Sequence, residues 1–239
     1  MSGDLLLTTV VLVAGIVVPG LLLGLADRKN FRSSWLVIVG GLVVLNDAAL
    51  TDAWGLIPDV VGGDYNWQGK FLAFALSLAV AAHPAFGWRR SGLTFSQGSE
   101  PRKPTAAVIF AAIALFALPS LLLPKDPFET ETLAFQATMP GLEEELFYRG
   151  ILLLALNEAL RGRQRIAGVT VGWGALLVTL GFGMAHGVDF TDGVFDPNWI
   201  AMAVSGIPAL ILIWVRERTG SIVWPIILHN LANTFPLVL

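Results

Sequence analysis

The sequence contains no cysteine, which excludes a disulfide framework and any metal site built on thiolates. Charge is also scarce, since only 14% of the 239 residues are charged, against about 25% in soluble domains. There is no HExxH motif, no internal repeat and no low-complexity tract. The net charge of −3 is small and negative, which argues against a nucleic-acid partner.

Apolar residues dominate what is present. The chain is 55% hydrophobic and its mean hydropathy is +0.70. A membrane-spanning helix needs about 20 apolar residues, and the chain offers eight such segments: 5–26, 35–51, 70–88, 105–123, 132–160, 167–187, 198–215 and 220–238. No basic segment precedes the first one, so we interpret it as a membrane helix rather than a signal peptide. The sequence predicts an all-α, polytopic membrane helix bundle of about eight transmembrane helices.

Basic residues mark every second loop between these segments. They are Arg28, Lys29, Arg32, Arg89, Arg90, Arg102, Lys103, Arg161, Arg163, Arg165, Arg216 and Arg218. We interpret the remaining loops as carrying only Lys70 and Lys125. Cytoplasmic loops are enriched in lysine and arginine, so both termini are predicted to lie on the non-cytoplasmic side.

The fifth predicted span is unusual because it contains four ionisable residues. The stretch GLEEELFYRG, residues 141–150, holds Glu143, Glu144, Glu145 and Arg149. One charge at the centre of a membrane helix costs about 3 kcal/mol, and such residues generally mark function. Glu145 and Arg149 are four apart and can pair on one helix face, which leaves Glu144 directed elsewhere. A purely structural glutamate–arginine pair is the alternative interpretation.

Two later spans each carry a further polar pair with the same spacing. Phe182 and His186 lie near the end of span six, and His229 and Asn233 lie within span eight. Helices in a bundle can direct such pairs at one point. At about 1.5 Å of rise per residue, all three clusters fall in the middle-to-outer half of the membrane, so we expect them to meet.

These residue types together predict hydrolysis of an amide bond. Glu144 can act as the general base for a water molecule that His186 holds or polarises. His229 and Asn233 can stabilise an oxyanion, while Arg149 can orient Glu145 or bind a substrate carboxylate. The same residues leave a second possibility open, a zinc site formed by Glu144, His186 and His229.

The ordered motifs resemble a known family. Glu144-Glu145-x-x-x-Arg149, then Phe182-x-x-x-His186, then His229-x-x-x-Asn233 are similar to the three motifs of the CPBP family, the CAAX prenyl endoproteases and bacteriocin-processing enzymes also called Abi proteins. The resemblance implies an intramembrane endopeptidase. It also implies that Glu144 and His186 are catalytic and that His229 and Asn233 line the oxyanion site. Glu145, Arg149 and Phe182 support the site or contact the substrate.

The resemblance also implies the surroundings of the enzyme. We expect no cofactor, with zinc as the alternative, and a multi-pass protein of the prokaryotic inner membrane. Residues 1–104 would hold the N-terminal helices and a polar cytoplasmic connector, and residues 105–239 the catalytic core, all within one integral membrane domain.

The substrate is less sharply defined by the sequence. The partner would be a membrane-bound or lipidated peptide or protein, in the lipid bilayer and without nucleic acid. CAAX endoproteases act on prenylated proteins from the cytoplasmic side. The loop charges put this site nearer the opposite face, so a leader sequence or a membrane-protein segment is the other candidate substrate. A non-catalytic immunity or scaffold protein is the alternative function.

Overall fold

The structure, a computed structural model, describes residues 2–98, 102–122, 124–125 and 127–239. Residues 99–101 of the predicted connector therefore lie outside the described residues. The first half of the chain forms α1 (Ser2–Ala26), α2 (Ser33–Leu50), the short turn α3 (Asp52–Gly55), α4 (Trp67–Ala82), α5 (Arg102–Leu122), α6 (Thr130–Gln136) and α7 (Met139–Glu144). The second half forms a π-helix (Glu145–Leu152), α8 (Leu153–Ala159), β1 (Gln164–Ile166), β2 (Val169–Val171), α9 (Trp173–Gly187), β3 (Phe190–Thr191), β4 (Val194–Phe195), α10 (Trp199–Thr219) and α11 (Val223–Val238).

The architecture confirms the predicted all-α membrane bundle. In the described part of the chain, four helices are long and apolar enough to cross a membrane: Gly3–Ala26, Ser33–Leu50, Lys103–Leu122 and Trp199–Thr219. The apolar helix Trp67–Ala82 is shorter. The strands form two short antiparallel hairpins, β1–β2 and β3–β4. The other predicted spans are shorter or interrupted, so the number of eight crossings stays a prediction.

The predicted fifth span, 132–160, is divided at Thr138 into α6 and a second helical stretch, in which α7, the π-helix and α8 follow one another without a gap. Thr138, between α6 and α7, has non-helical backbone angles (φ −131°, ψ −69°), and Pro140 stands in the first turn of α7. Proline is tolerated there because the first N–H groups of a helix have no intrahelical partner. Hydropathy continues unchanged through this break, which is why the sequence pattern did not reveal it.

The chain divides into two compact units of discontinuous sequence. Unit 1 comprises Met1–Asp59 and Ile151–Leu210, and unit 2 comprises Val60–Gly150 and Ile211–Leu239. The predicted division at residues 104 and 105 stays a prediction.

In unit 1, α9 packs against α1 and α8, and both α1 and α8 pack against α2. Small residues in α9 permit the close helix contacts predicted for them. A Cβ atom added at Gly183 would lie 2.8 Å from the backbone oxygen of Met202 in α10. Close packing thus holds the end of α9, where Phe182 and His186 lie.

In unit 2, α11 packs against α5, α6 and α7, and α4 packs against α7. An apolar cluster joins α5, the C-terminal part of α10 and α11; it consists of Ile109, Ala112, Leu212, Val215 and Leu228. This packing leaves α7 in contact with both α4 and α11, which is the arrangement that builds the site described next.

Candidate active site

The site is centred on the junction between α7 and the π-helix. Glu143, Glu145 and Arg149 are fully buried, and Glu144 is 9% exposed. The pairing predicted from the spacing is present, since Arg149 Nη1 lies 3.0 Å from Glu145 Oε1. The segment from Glu145 to Leu152 takes the π form, which is rare and is found frequently at functional sites.

The π-helix is anchored by other parts of unit 2. A Cβ atom added at Gly150 would lie 2.8 Å from the backbone oxygen of Ser91, so glycine permits this close contact. The backbone oxygen of Arg149 also accepts a hydrogen bond from Arg216 Nε at 3.2 Å. These contacts hold the backbone that carries Glu145 and Arg149.

His229 brings α11 to the glutamates. Its Nδ1 lies 2.7 Å from Glu145 Oε1 and its Nε2 lies 3.7 Å from Glu144 Oε2. The side chain is buried. Because a carboxylate only accepts hydrogen bonds, Nδ1 donates to Glu145, and this fixes which ring nitrogen faces Glu144. The imidazole therefore bridges the two glutamates that the sequence assigned to different roles.

Asn230 and Gly141 set the position of α11 on α7. The backbone N–H of Gly141, in the first turn of α7, donates to Asn230 Oδ1 at 2.8 Å. A Cβ atom at Gly141 would lie 2.8 Å from the backbone oxygen of Ile226. Sequence analysis singled out neither residue. The signal available was a second asparagine directly after His229 and a glycine two residues before the glutamate run.

Asn233 lies one helical turn beyond His229. It is half-buried, and its side chain makes no hydrogen bond to any residue in the described ranges. The structure therefore joins His229, but not Asn233, directly to the glutamates.

The sequence analysis assigned Lys70 to a loop, whereas the structure places this residue in a helix. It lies in the first turn of α4, whose start is capped by Asn66 Oδ1 accepting from Gly69 N at 2.9 Å. Its Nζ lies 2.7 Å from Glu143 Oε2 and 2.6 Å from Glu144 Oε1. Three buried glutamates with one arginine leave carboxylate charge uncompensated, and a buried charge needs a partner. That imbalance was the signal for a second cation.

Aromatic packing and hydrogen bonds to α6 hold the start of α4. Glu131 Oε1 accepts from Trp67 Nε1 at 2.9 Å and from Asp64 N at 3.0 Å. The Phe135 ring stacks on Tyr65 at 4.7 Å and meets Trp67 edge-on at 5.0 Å between centroids. We call Glu131, Phe135, Tyr65 and Trp67 the aromatic latch. It fixes the backbone from which Lys70 reaches the glutamates.

Phe182 and His186 belong to unit 1, in the last turns of α9. His186 Nδ1 donates to the backbone oxygen of Phe182 at 2.8 Å, and the two rings lie 4.5 Å apart between centroids. His186 is exposed and lines an open pocket of about 720 Å³ with Asp189, Asp196 and Asn198. In its neutral form the ring keeps Nε2 as an acceptor. The meeting of His186 with Glu144 stays a prediction.

The residues of unit 2 fit a zinc ion poorly. Glu144 Oε1, a proposed zinc ligand, already contacts the Lys70 ammonium at 2.6 Å, and a divalent cation on the same carboxylate would repel that charge. Within the residues that the structure covers, no group of three or more histidine, aspartate or glutamate residues is arranged so that it could hold a metal ion.

The fold and the site define a polytopic membrane protein with a buried carboxylate–histidine cluster that one lysine and one arginine contact. Residues 126–235 match a protein-family model described as Rce1-like, type II CAAX prenyl endopeptidase Rce1-like. The match confirms, for these residues, the resemblance of the motifs to the CPBP family of CAAX proteases. The match covers Glu144, Glu145, Arg149, Phe182, His186, His229 and Asn233 but not Lys70. Comparison with curated proteins and with solved structures gave no significant match.

Proposed function

We propose that this protein is a metal-free intramembrane endopeptidase that cleaves a membrane-associated or lipidated peptide with water activated by Glu144. One observation carries the proposal. The buried Glu144 carboxylate has one oxygen held by Lys70 Nζ at 2.6 Å and the other directed at His229 Nε2, 3.7 Å away. A water molecule beside these two atoms could contact both of them.

Glu144 Oε2 is the proposed base, because Lys70 contacts Oε1. The water oxygen bonds to the scissile carbonyl carbon, its proton passes to Oε2, and the carbonyl π electrons move to the oxygen. The C–N bond then breaks as the leaving nitrogen takes the proton from Glu144. The carboxylate is regenerated, so one glutamate serves as base and then as acid.

His229 and Asn233 are the proposed oxyanion donors. Donation from His229 Nε2 requires the imidazolium form, since Nδ1 already donates to Glu145 at 2.7 Å. Glu145 thus orients the imidazole, as a triad aspartate orients its histidine. Arg149 compensates the charge of Glu145 at 3.0 Å.

His186 is proposed as the second group that holds the attacking water, the role that the family resemblance implies for it. Nδ1 donates to the Phe182 carbonyl oxygen, so in the neutral ring Nε2 is the acceptor, and it would accept a hydrogen bond from the attacking water. That contact would orient a water lone pair toward the substrate. Phe182 supports this ring through its backbone oxygen and its aromatic contact.

The Lys70 ammonium supports a mechanism without metal over the zinc alternative. It supplies positive charge next to Glu144. In the alternative site, formed by Glu144, His186 and His229, a zinc ion would supply that charge instead.

The proposed substrate is a peptide held in or at the bilayer. The family description names prenylated CAAX substrates, whereas the loop charges put the site nearer the non-cytoplasmic face. Both alternatives share a peptide bond presented at membrane depth. The proposed setting is a multi-pass protein of the prokaryotic inner membrane with both termini non-cytoplasmic and no nucleic-acid partner.

The test is cleavage by the purified protein in lipid nanodiscs, read by mass spectrometry. The panel contains farnesylated CAAX peptides, the same peptides without lipid, and apolar membrane-segment peptides. Glu144→Gln keeps the size of the side chain but removes the base. Its matched control is Glu158→Gln, which alters a surface ion pair with Arg161. Cleavage by the wild type and the control alone supports the proposal; equal cleavage by Glu144→Gln overturns it.

A further inference from the structure

The ion pairs of Lys70 join a helix outside the family match to the proposed base. We propose that Lys70 is a positioning residue and that Glu143 is its partner. Lys70 holds Glu144 Oε1 so that Oε2 faces the reacting water, while Glu143 prevents Lys70 from neutralising Glu144 completely. We call these three residues the ammonium clamp. This inference rests on the proposed function and adds a role for two residues that the motifs leave without one.

The distances within the ammonium clamp support simultaneous contacts of Lys70 with both glutamates. Its Nζ lies at hydrogen-bonding distance from both carboxylates, 2.7 Å from Glu143 Oε2 and 2.6 Å from Glu144 Oε1. Hydrogen bonds between charged groups are short and strong. All three side chains are buried or nearly so, with 12% exposure for Lys70 and Glu144 and none for Glu143. The contacts are therefore little screened by water.

Charge explains why a second glutamate is useful. Lys70, Glu143 and Glu144 together carry a charge of −1, and a proton arriving on Glu144 makes the group neutral. Without Glu143, the remaining ion pair is already neutral, and proton uptake would leave a buried positive charge. Without Lys70, two adjacent buried carboxylates repel, and one of them binds a proton before any substrate arrives. Glu144 is both ionised and able to accept a proton readily only when both partners are present.

Lys70 is held in place by contacts between α4 and α6. Lys70 stands on α4, and the aromatic latch fixes the start of α4 to α6. The groups facing Glu144 from the packed elements are Lys70 on α4 and His229 on α11. On α6, Glu131 bonds to Asp64 and Trp67. Lys70 is thus placed against Glu144 by α4, a different element from the one that carries the glutamates.

The experiment measures kcat and KM for the best peptide of the panel with Lys70→Met, Lys70→Arg and the double variant Lys70→Met/Glu143→Gln. Lys125→Met, which alters an exposed lysine, is the matched control. We expect Lys70→Met to lower kcat about 100-fold, the order of a general-base contribution, while KM stays within about threefold, since the proposed role of Lys70 is to position Glu144 and not to bind substrate. Lys70→Arg should recover much of the loss because it keeps the cation.

The double variant separates positioning from stability. It removes one charge of each sign, and replacing both members of a buried ion pair is often neutral for folding. We expect kcat of the double variant to stay low because Glu144 has still lost the contact with the Lys70 ammonium. A kcat within twofold of the wild type would mean that Lys70 merely neutralises Glu143, which would overturn the inference. A wild-type kcat in Lys70→Met would do the same.

A spectroscopic measurement keeps the inference testable without a substrate. Infrared spectra of the wild type, Lys70→Met and Lys70→Met/Glu144→Gln report protonated carboxylic acid. The account expects a carboxylic-acid band in Lys70→Met that is missing in the wild type and lost in the double variant. Identical wild-type and Lys70→Met spectra would contradict it. Activity that survives in Glu144→Gln would overturn the proposed function; a normal Lys70→Met beside an inactive Glu144→Gln would overturn the clamp alone.

Discussion

His229 Nδ1 lies 2.7 Å from Glu145 Oε1, so the histidine of the last helix is held by the second glutamate of the EExxxR motif. The sequence placed Arg149 alone beside Glu145, whereas the structure adds His229 to the same oxygen. One carboxylate oxygen therefore links the first and third motifs. With Nδ1 on Glu145, Nε2 of His229 faces Glu144, which supports the proposed orienting role of Glu145.

Replacing Glu145 by glutamine should destabilise the protein and lower activity. The change leaves the fully buried Arg149 without a compensating charge, which costs about 3–5 kcal/mol. Adding Arg149→Met should restore most of the stability but not the activity, since the His229 ring has still lost its carboxylate. Thermal unfolding in detergent and kcat measure the two effects separately. Full activity in the stable double variant would contradict the orienting role of Glu145.

Replacing Gly141 by alanine should displace α7 from α11. The added Cβ would lie 2.8 Å from the backbone oxygen of Ile226 and close to Asn230 Oδ1, and overpacking of this kind costs about 1–3 kcal/mol. Gly41→Ala in α2 is the matched control, because a Cβ there meets nothing within 4 Å. We expect a lower melting temperature and reduced cleavage for Gly141→Ala only. Equal effects of both variants would argue against the close helix contact.

Replacing Asn233 by alanine should lower kcat with little effect on folding. The side chain is half-buried and makes no hydrogen bond to another residue of the described chain, so its removal leaves no buried partner unsatisfied. Loss of one oxyanion donor typically lowers kcat by about 100- to 1,000-fold. Asn157→Ala in α8 serves as the asparagine control for activity. A change confined to the melting temperature would contradict the oxyanion role.

Treatment with a strong chelator should leave cleavage unchanged. The Lys70 ammonium contacts Glu144 at 2.6 Å and repels a second cation at that carboxylate. The assay compares kcat before and after chelation and after addition of Zn²⁺. Loss of activity that Zn²⁺ restores would instead support the alternative site formed by Glu144, His186 and His229.

The sequence revealed the parts of the site that follow local spacing. The four-residue interval between Glu145 and Arg149 predicted their ion pair, which is present. The positions of His186 on α9 and His229 on α11 also follow from apolar segments with one histidine each. Periodicity suffices in these cases because each prediction depends on one helix.

Other features depend on contacts between distant segments. Lys70 lies 73 residues before Glu143, and only the Asn66 cap shows that it stands in a helix and not in a loop. The break at Thr138 and the π-helix are invisible to hydropathy, since the residues remain mostly apolar throughout. Asn230 acts on the backbone of α7, an interaction to which no spacing rule applies.

The measurement that tests the central claim most directly is the rate of peptide cleavage by Glu144→Gln against the wild type and Glu158→Gln in the same nanodiscs. The account predicts a loss of at least about 100-fold in kcat for Glu144→Gln, the order of a general-base contribution, and an unchanged rate for Glu158→Gln. Cleavage by Glu144→Gln at the wild-type rate would contradict the assignment of Glu144 as the base.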